Sequence, residues 1–376
     1  MTMMTVRQYR GLDALPTPPD KAFEDGALLL VFGTTEQLQQ PDVQQVLSAW
    51  ARTHVVAGAS SDALISTVGL ESLPVFTHLR FEQTRVRLAS APVPDPEASY
   101  EVGRQLGQVL AEPQLRYVLL LADGLHVNGS ALTQGIEQAV GDVPITGGLA
   151  NDGSRFQQTF VVAGDRVLSR AAVAVGFYGE RFRVGHGAVG GWKPFGPLMR
   201  VTKSDGSIVY TLDGQPALAL YERYLGKDAA GLPATGLLFP LALYDDHQQP
   251  VGLIRTLLGI DRARNALIFA GDVPQGCWTR LMHARFDELV DGADHAARYA
   301  LQNIHHPPFA LLISCIGRKF LMGDFVVEEV EAVKKTVGES TVLTGFYSNG
   351  EISPFNPTAR CELHNQTMTI TLWGEQ

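Results

Sequence analysis

Chemistry in this sequence has to be sought where short apolar runs break into polar residues. The run Val342-Leu343-Thr344-Gly345-Phe346-Tyr347 opens into Ser348-Asn349-Gly350 and a carboxylate at Glu351. That order reads as a buried strand ending in a tight turn, which puts polar groups at a strand mouth where α/β proteins commonly hold ligands. Glu351, and Asp272 in Phe269-Ala270-Gly271-Asp272-Val273-Pro274, can accept from a ligand ammonium or act as a base. Neither has a second acid at a fixed spacing, and either can equally cap its own turn. Cys315 ends the run Phe309-Ala310-Leu311-Leu312-Ile313-Ser314, with Arg318 close behind it. An arginine nearby favours a thiolate able to react or to ligate iron, although a cysteine so placed is more often a small buried hydrophobe.

Three histidines stand in informative surroundings. His364, in Glu362-Leu363-His364-Asn365-Gln366-Thr367, suits a ligand or proton carrier, against the commoner role of a structural hydrogen-bonding group. His186 lies between Gly185 and Gly187, which admit a flat molecule close to the backbone or serve as a hinge. His126 follows the run ending at Ala122 and is the weaker third choice. A last cluster, Gly147-Gly148-Leu149-Ala150-Asn151-Asp152-Gly153, adds Gly147, Gly148, Asn151 and Asp152 to the candidate ligand residues beside Ser348 and Asn349. Tyr347 joins them, in a position that also suits the core. The glycines of these turns form neither a GxGxxG nor a Walker A sequence, so they give nucleotide binding no motif support, and GxSxG and HExxH are missing.

The elements that must carry these groups alternate. Ala27 to Phe32 reads as a strand buried on both faces, followed by a helix with Val43, Val46, Leu47 and Trp50 in phase and a strand at His54 to Ala57. Phe76 to Leu88 alternates like half-buried antiparallel strands, with Phe81, Thr84, Val86 and Leu88 facing inward. A helix over Tyr100 to Leu110, a strand at Tyr117 to Ala122 and a helix near Ser130 to Val140 lead into the Gly147 turn. Thr159 to Val162 and Ala171 to Phe177, joined at Gly164-Asp165, suggest a hairpin. Gly185 to Pro197 reads as a structured crossing segment, and a hairpin follows at Asp213-Gly214. Pro216 to Leu225 reads as a helix that opens a second domain, with strands at Leu253 to Leu258 and Leu267 to Ala270 and a helical stretch from Cys277 to Val290. A helix over Val326 to Val337 runs into the opening motif, and Met368 to Leu372 closes the chain as a strand. The expectation is an α/β protein of two related mixed-sheet domains with antiparallel hairpins, divided as an N-terminal extension at 1–22 and domains at 23–215 and 216–376.

An internal echo supports that relation. Ala57-Gly58-Ala59-Ser60-Ser61-Asp62-Ala63-Leu64-Ile65-Ser66 aligns with Thr344-Gly345-Phe346-Tyr347-Ser348-Asn349-Gly350-Glu351-Ile352-Ser353, and Gly147 to Gly153 is a looser third copy. Glycine there permits close backbone approach, and Ser, Asn and Asp bond neighbouring main-chain N–H groups.

Composition bounds the function classes. A length of 376 residues suits two cores, with 45% apolar and 18% charged residues as in globular proteins. A net charge of −9 and the lack of a basic stripe argue against nucleic acid or an anionic membrane as partner. Three cysteines without CxxC spacing suggest neither disulfides nor a thiolate zinc site and fit a reducing cytoplasm. Pro16, Pro18, Pro19 and Asp20 follow the basic N-terminus where a signal peptide would have its apolar region. No apolar run approaches the roughly 20 residues of a membrane span.

Taken in order, the Gly147 to Gly153 turn, Leu238-Phe239-Pro240-Leu241-Ala242, Phe269 to Pro274, Ser314-Cys315-Ile316-Gly317-Arg318, Gly345 to Phe355 and Glu362 to Thr367 resemble the FIST family, with its N- and C-terminal FIST domains. The resemblance runs from about Ala27 to the end. It implies a small-ligand sensory module rather than an enzyme, coupled in bacteria to histidine kinases, cyclic-dinucleotide enzymes or chemotaxis proteins. The chain looks like the stand-alone bacterial members, which bind haem, sense nitric oxide and regulate a partner kinase. On that analogy the cofactor is haem b, held non-covalently because no CxxCH motif exists, with His186, His364 or His126 as axial ligand. The alternatives are an amino-acid or other metabolite receptor anchored by Glu351 and Arg318, and an enzyme using Cys315 or His364.

Overall fold

Ala27–Gly33 is apolar throughout because both of its faces are covered. In the computed structural model of the chain, which describes residues 4–18, 25–354 and 360–376, Leu28, Leu30 and Phe32 face a central core. Leu29 and Val31 face the helix Pro41–Trp50 through Val43, Leu47 and Trp50. Residues 1–3 and 19–22 of the expected N-terminal extension, and Phe355 at the end of one motif, lie outside the described residues.

This strand–helix–strand unit occurs three times. Ala27–Gly33 pairs in parallel with Val55–Ser60, Leu115–Ala122 with Ile145–Leu149 across the helix Gly129–Val140, and Phe309–Cys315 with Val342–Ser348 across the helix Val327–Val337. Each pair sits in its own six-stranded mixed sheet. The inner faces of all three sheets share one core, in which Leu30, Leu119, Phe177, Leu311, Phe346 and Trp373 meet. Their outer faces are covered by helices, Ser99–Leu110 and Gly129–Val140 on one and Phe286–Ala300 and Val327–Val337 on another. None of these helices is long enough to be stable alone, so burial of stripes such as Val330, Val333 and Val337 sustains them.

A fourth sheet, of eight antiparallel strands between Lys193 and His283, packs on the helix Ala217–Leu225 around its own core of Met199, Val201, Leu241, Leu267 and Leu281. Three of the four sheets draw strands from both sides of residue 215. Gly350–Pro354 and Cys361–His364 extend the sheet of Ile145–Leu149, Leu64–Ser66 pairs with Val342–Ser348, and Lys193–Asp205 pairs with Trp278–His283.

The mixed α/β class stands as expected, and several local elements differ. The hairpin partner of Val161–Ala163 is Arg166–Leu168, while Ala171–Tyr178 crosses to pair with Leu115–Ala122 and Arg85–Pro92. The stretch expected to be helical from Cys277 is the strand Trp278–His283, and the helix begins at Phe286. Gly185 to Pro197, expected as a structured crossing segment, holds the end of the strand Phe182–Val189 and the start of the strand Lys193–Asp205, joined by a short link at 190–192. Among the described residues no helix is long and apolar enough to cross a membrane.

Candidate ligand-binding site

The three turns that echo one another in sequence meet in space. Asn151 N–H donates to Ser60 O at 3.0 Å, Tyr347 N–H to Ala63 O at 3.0 Å and Asn349 N–H to Leu149 O at 3.1 Å. The Tyr347 carbonyl collects donors from both other turns, the Ser61 hydroxyl at 2.8 Å and the Asn151 side-chain amide. The shared glycines explain the echo. An ideal Cβ at Gly58, Gly147 or Gly345 would lie 1.9, 1.7 or 1.8 Å from the carbonyl oxygen of Val31, Leu120 or Leu312, each on the parallel neighbour strand. The close approach expected of these glycines is therefore made by the protein's own backbone.

Beside this junction lies a cavity of about 680 Å³ between the three-sheet body and the eight-stranded sheet. Leu125, Leu149, Phe156 and Phe320 line it from the first, Leu237, Leu257 and Phe269 from the second. Its volume is in the range of small-molecule sites. The polar lining is sparse: Asn128, Ser154, Ser207, Thr256, Asp272, Cys315, Asn349 and Asn365. Asn128 spends its oxygen capping the helix Gly129–Val140, through Ala131 N–H at 3.1 Å, a bond worth about 1 kcal/mol. Thr256, 3% exposed, keeps a hydroxyl with no partner, and so does the side-chain oxygen of Asn349. Buried polar atoms are nearly always paired, and these two stand without a protein partner in the lining of one apolar cavity.

Of the residues singled out from sequence, Asp272, Cys315 and Asn349 line this cavity. Asn151 and Asp152 support it. The Asp152 carboxylate accepts from the main-chain N–H of Phe156, Gln157 and Gln158 at 3.1, 2.7 and 3.0 Å, which fixes the loop bearing Ser154 and Phe156. The others are engaged inside the fold. Gly148 packs against Ile313 and Gly350. Arg318 and Glu329, both fully buried, form an ion pair at 2.7 Å; Tyr347 Oη and Ser314 Oγ donate to the second carboxylate oxygen at 2.6 and 2.9 Å. Arg318 is therefore the partner of Glu329, and not the activator of Cys315. Burial, with the Glu351 carboxyl as a second cause, pushes the Cys315 thiol up, which suits a packed thiol better than a nucleophile.

Ser348 Oγ donates to Glu351 at 2.5 Å, and Thr367 N–H and Oγ–H donate at 3.2 and 3.0 Å. Burial nevertheless dominates and pushes Glu351 up to about 8. The folded chain thus holds a proton that the unfolded chain releases near the ordinary carboxylate value of 4.5. The stabilising state is therefore lost as pH rises through this window, and stability falls with a slope approaching about 1.4 kcal/mol per pH unit. Glu351→Gln is expected to flatten that slope and to be more stable than the wild type near pH 8, as read by denaturant titrations across the window. An unchanged slope would show that Glu351 is ionised in the fold.

The histidines lie elsewhere. His364 is fully buried with Nε2 bonded to Ser353 O at 2.8 Å, and burial lowers its pKa to about 4, so the ring is neutral. His126 shares the Asp123 carboxylate at 3.2 Å. His186 is 7% exposed and borders a second cavity of about 730 Å³ with Glu137, Asp142, Arg360 and Glu362. Its flanking glycines are required by the helix Phe286–Ala300, since a Cβ at Gly185 or Gly187 would meet Ala300 O at 2.0 Å or Ala296 O at 2.2 Å. The spacing Gly185-His186-Gly187-Ala188-Val189-Gly190 matches GxGxxG, yet it lies along an antiparallel strand and opens no helix, so the phosphate-binding reading lacks its structural context. Among the described residues no cluster of His, Cys, Asp and Glu could hold a metal ion.

Thr256, Leu257 and Phe156 carried no sequence signal, whereas Asn365 and Gln366 stood inside a quoted motif without being singled out. Comparison with known proteins follows the same outline. The family model for the FIST N domain matches residues 27–215, and that for the FIST C domain matches residues 217–354. An uncharacterized protein of Mycobacterium tuberculosis is 28% identical over 267 residues, covering 68% of this chain and 67% of its own length. An uncharacterized protein of Methanocaldococcus jannaschii is 25% identical over 213 residues, 51% of this chain and 39% of its own.

Proposed function

Because the chain belongs to the FIST family through both its N and C domains, whose domains are small-ligand sensory modules of signalling proteins, we propose that it is a cytoplasmic sensor whose ligand occupies the cavity between the three-sheet body and the eight-stranded sheet. The single observation that carries this reading is the apolar cavity of about 680 Å³ with unpartnered buried oxygens on Thr256 and Asn349. Both bodies contribute to its wall, so occupancy changes what holds them together. A histidine kinase or a cyclic-dinucleotide enzyme acting in trans is the partner class that would receive this change.

Two narrower versions meet difficulties in the lining. Among the described residues a haem in the main cavity would find no histidine, tyrosine or methionine, and the one sulfur group, Cys315, is held protonated by burial. In the second cavity His186 is accompanied by Glu137, Asp142 and Glu362, whose carboxylates repel the two propionates, against Arg360 as the one cation among the described lining residues. The residues present do not fit haem, and nitric-oxide sensing through it has no support from them. An amino-acid receptor anchored by Glu351 and Arg318 is also unsupported, since both side chains are fully buried and bonded within the fold.

The test is thermal shift against fractionated metabolite extract, with Ala270→Trp as a variant that fills the cavity from its wall. A specific ligand at a hundredfold excess over Kd stabilises the fold by about 2.7 kcal/mol. A fraction that protects the wild type and not Ala270→Trp is expected. Equal protection of both would place the ligand elsewhere.

A further inference from the structure

Three side-chain amides around the cavity are turned the same way, beside the Asn128 amide and the hydroxyls of Ser154, Ser207 and Thr256, which can donate. Asn349 turns its side-chain N–H to Gly124 O at 3.3 Å, Gln366 turns its own to Leu237 O at 3.3 Å, and Asn365 turns its own to His364 O at 3.0 Å. Those main-chain carbonyls fix the orientation of each amide, because a flipped amide would set oxygen against oxygen. The oxygens left over are the Asn349 and Gln366 side-chain carbonyls, both without a partner, and that of Asn365, which receives only Thr256 N–H at 3.5 Å. Gln366 is fully buried, and its amide lies against the lining residue Gly317, where an ideal Cβ would sit 3.1 Å from the bare oxygen. The unpartnered Thr256 hydroxyl and the half-buried Asp272 carboxylate complete the set.

Among the described residues no lysine, arginine or histidine lines the cavity, and Asp272 is the only ionisable lining group apart from the thiol. Arg255, buried against the wall at Gly271, gives its guanidinium to the carbonyls of Asp272 and Leu363 at 2.9 and 2.8 Å. A carboxylate or phosphate entering this space would lose its hydration, with no cation among the described lining residues and only the Asn128 amide and the hydroxyls of Ser154, Ser207 and Thr256 as side-chain donors beside the bare oxygens. A hydroxyl, amide or amine N–H would satisfy them.

Resting on the sensor reading above, we infer that the cavity selects a ligand with an apolar, aromatic-sized body and one or more O–H or N–H donors and no anionic group. A neutral donor and an ammonium share this chemistry, and the two are separated by the test. Tryptophol, tryptamine and indole-3-acetate present one indole body with a hydroxyl, an ammonium and a carboxylate. Thermal shift and calorimetry on the full chain are expected to show binding of tryptophol or tryptamine at least about tenfold tighter than indole-3-acetate, the penalty typical of a buried polar mismatch. Preference for tryptophol identifies a neutral ligand, and preference for tryptamine a cation paired with Asp272.

Thr256→Val supplies a signature that a merely structural threonine would not give. Replacing an unpaired buried hydroxyl by its apolar isostere is expected to raise the melting temperature of the ligand-free protein while weakening the preferred probe about five- to tenfold. Binding of indole-3-acetate as tight as the others, no binding of any of the three, or a Thr256→Val variant that is less stable with unchanged affinity overturns the inference. The sensor reading falls separately, if extract fractions also fail to distinguish wild type from Ala270→Trp.

Discussion

Glu329→Ala is expected to destabilise the fold by about 3–5 kcal/mol, because it leaves the Arg318 guanidinium buried and uncompensated. Both side chains are fully buried, and the carboxylate accepts from Arg318 Nε and Nη2 at 3.0 and 2.7 Å. Arg318 also donates to Gly190 O and Leu289 O at 2.7 and 2.8 Å. The pair therefore ties the helix Ile316–Met322, which brings Ile316, Gly317 and Phe320 to the cavity, to the helix Val327–Val337 and to the chain around Gly190. Loss of a third or more of a typical domain's stability should be visible in urea unfolding as a lowered midpoint. The double variant Arg318→Met/Glu329→Leu removes both charges and is expected to recover much of the loss, since an apolar pair can replace a buried ion pair at little net cost. A Glu329→Ala change within about 1 kcal/mol of wild type, the range of exposed pairs, would mean that water reaches the pair.

Gly345→Ala is the second large effect, about 3 kcal/mol or more, because the added methyl has no space that a side-chain movement could open. Its Cβ would stand 1.8 Å from Leu312 O and 2.7 Å from Leu312 C. Relief demands that the parallel ladder from Phe309–Val342 to Cys315–Ser348 move apart, which is overpacking against main chain. Gly147→Ala and Gly58→Ala should behave alike, since their contacts with Leu120 O and Val31 O are equally short. Gly259→Ala is the control, because its nearest neighbour would be Ile268 Cδ1 at 3.7 Å. Equal melting temperatures for Gly345→Ala and Gly259→Ala would contradict this account of the echo.

That echo shows how much of the molecule was legible in its sequence. Runs such as Ala27 to Phe32 and Phe309 to Ser314 announce strands covered on both faces, because only such strands tolerate apolar residues at every position. The repeated Gly followed by Ser and Asn or Asp marks two of the turns that meet at the Tyr347 carbonyl, and Gly147 to Gly153, with Asn and Asp but no Ser, marks the third. What those glycines touch was not legible, because close approach to a ligand and close approach to a neighbour strand require the same residue. Trp278–His283 reads as helix in isolation and becomes a strand through its pairing with Leu241–Tyr244 and Lys193–Asp205. Glu351, Arg318 and His364 looked like site residues for their chemistry, and each is consumed inside the fold, Glu351 by Ser348 and Thr367, Arg318 by Glu329 and His364 by Ser353. Thr256 gave no signal at all, since an unpartnered hydroxyl is a property of its surroundings and not of its neighbours in sequence.

The central claim is that a small molecule occupies the space bounded by Leu149, Thr256, Phe269, Cys315 and Asn349. The most direct measurement is native mass spectrometry of the full chain taken from cells without denaturation, beside Ala270→Trp prepared identically. The account predicts a bound mass on the wild type that is released on unfolding, absent from the variant, and free of carboxylate or phosphate. A bare chain in both preparations that gains nothing from metabolite extract, or a mass retained equally by the filled variant, would contradict it.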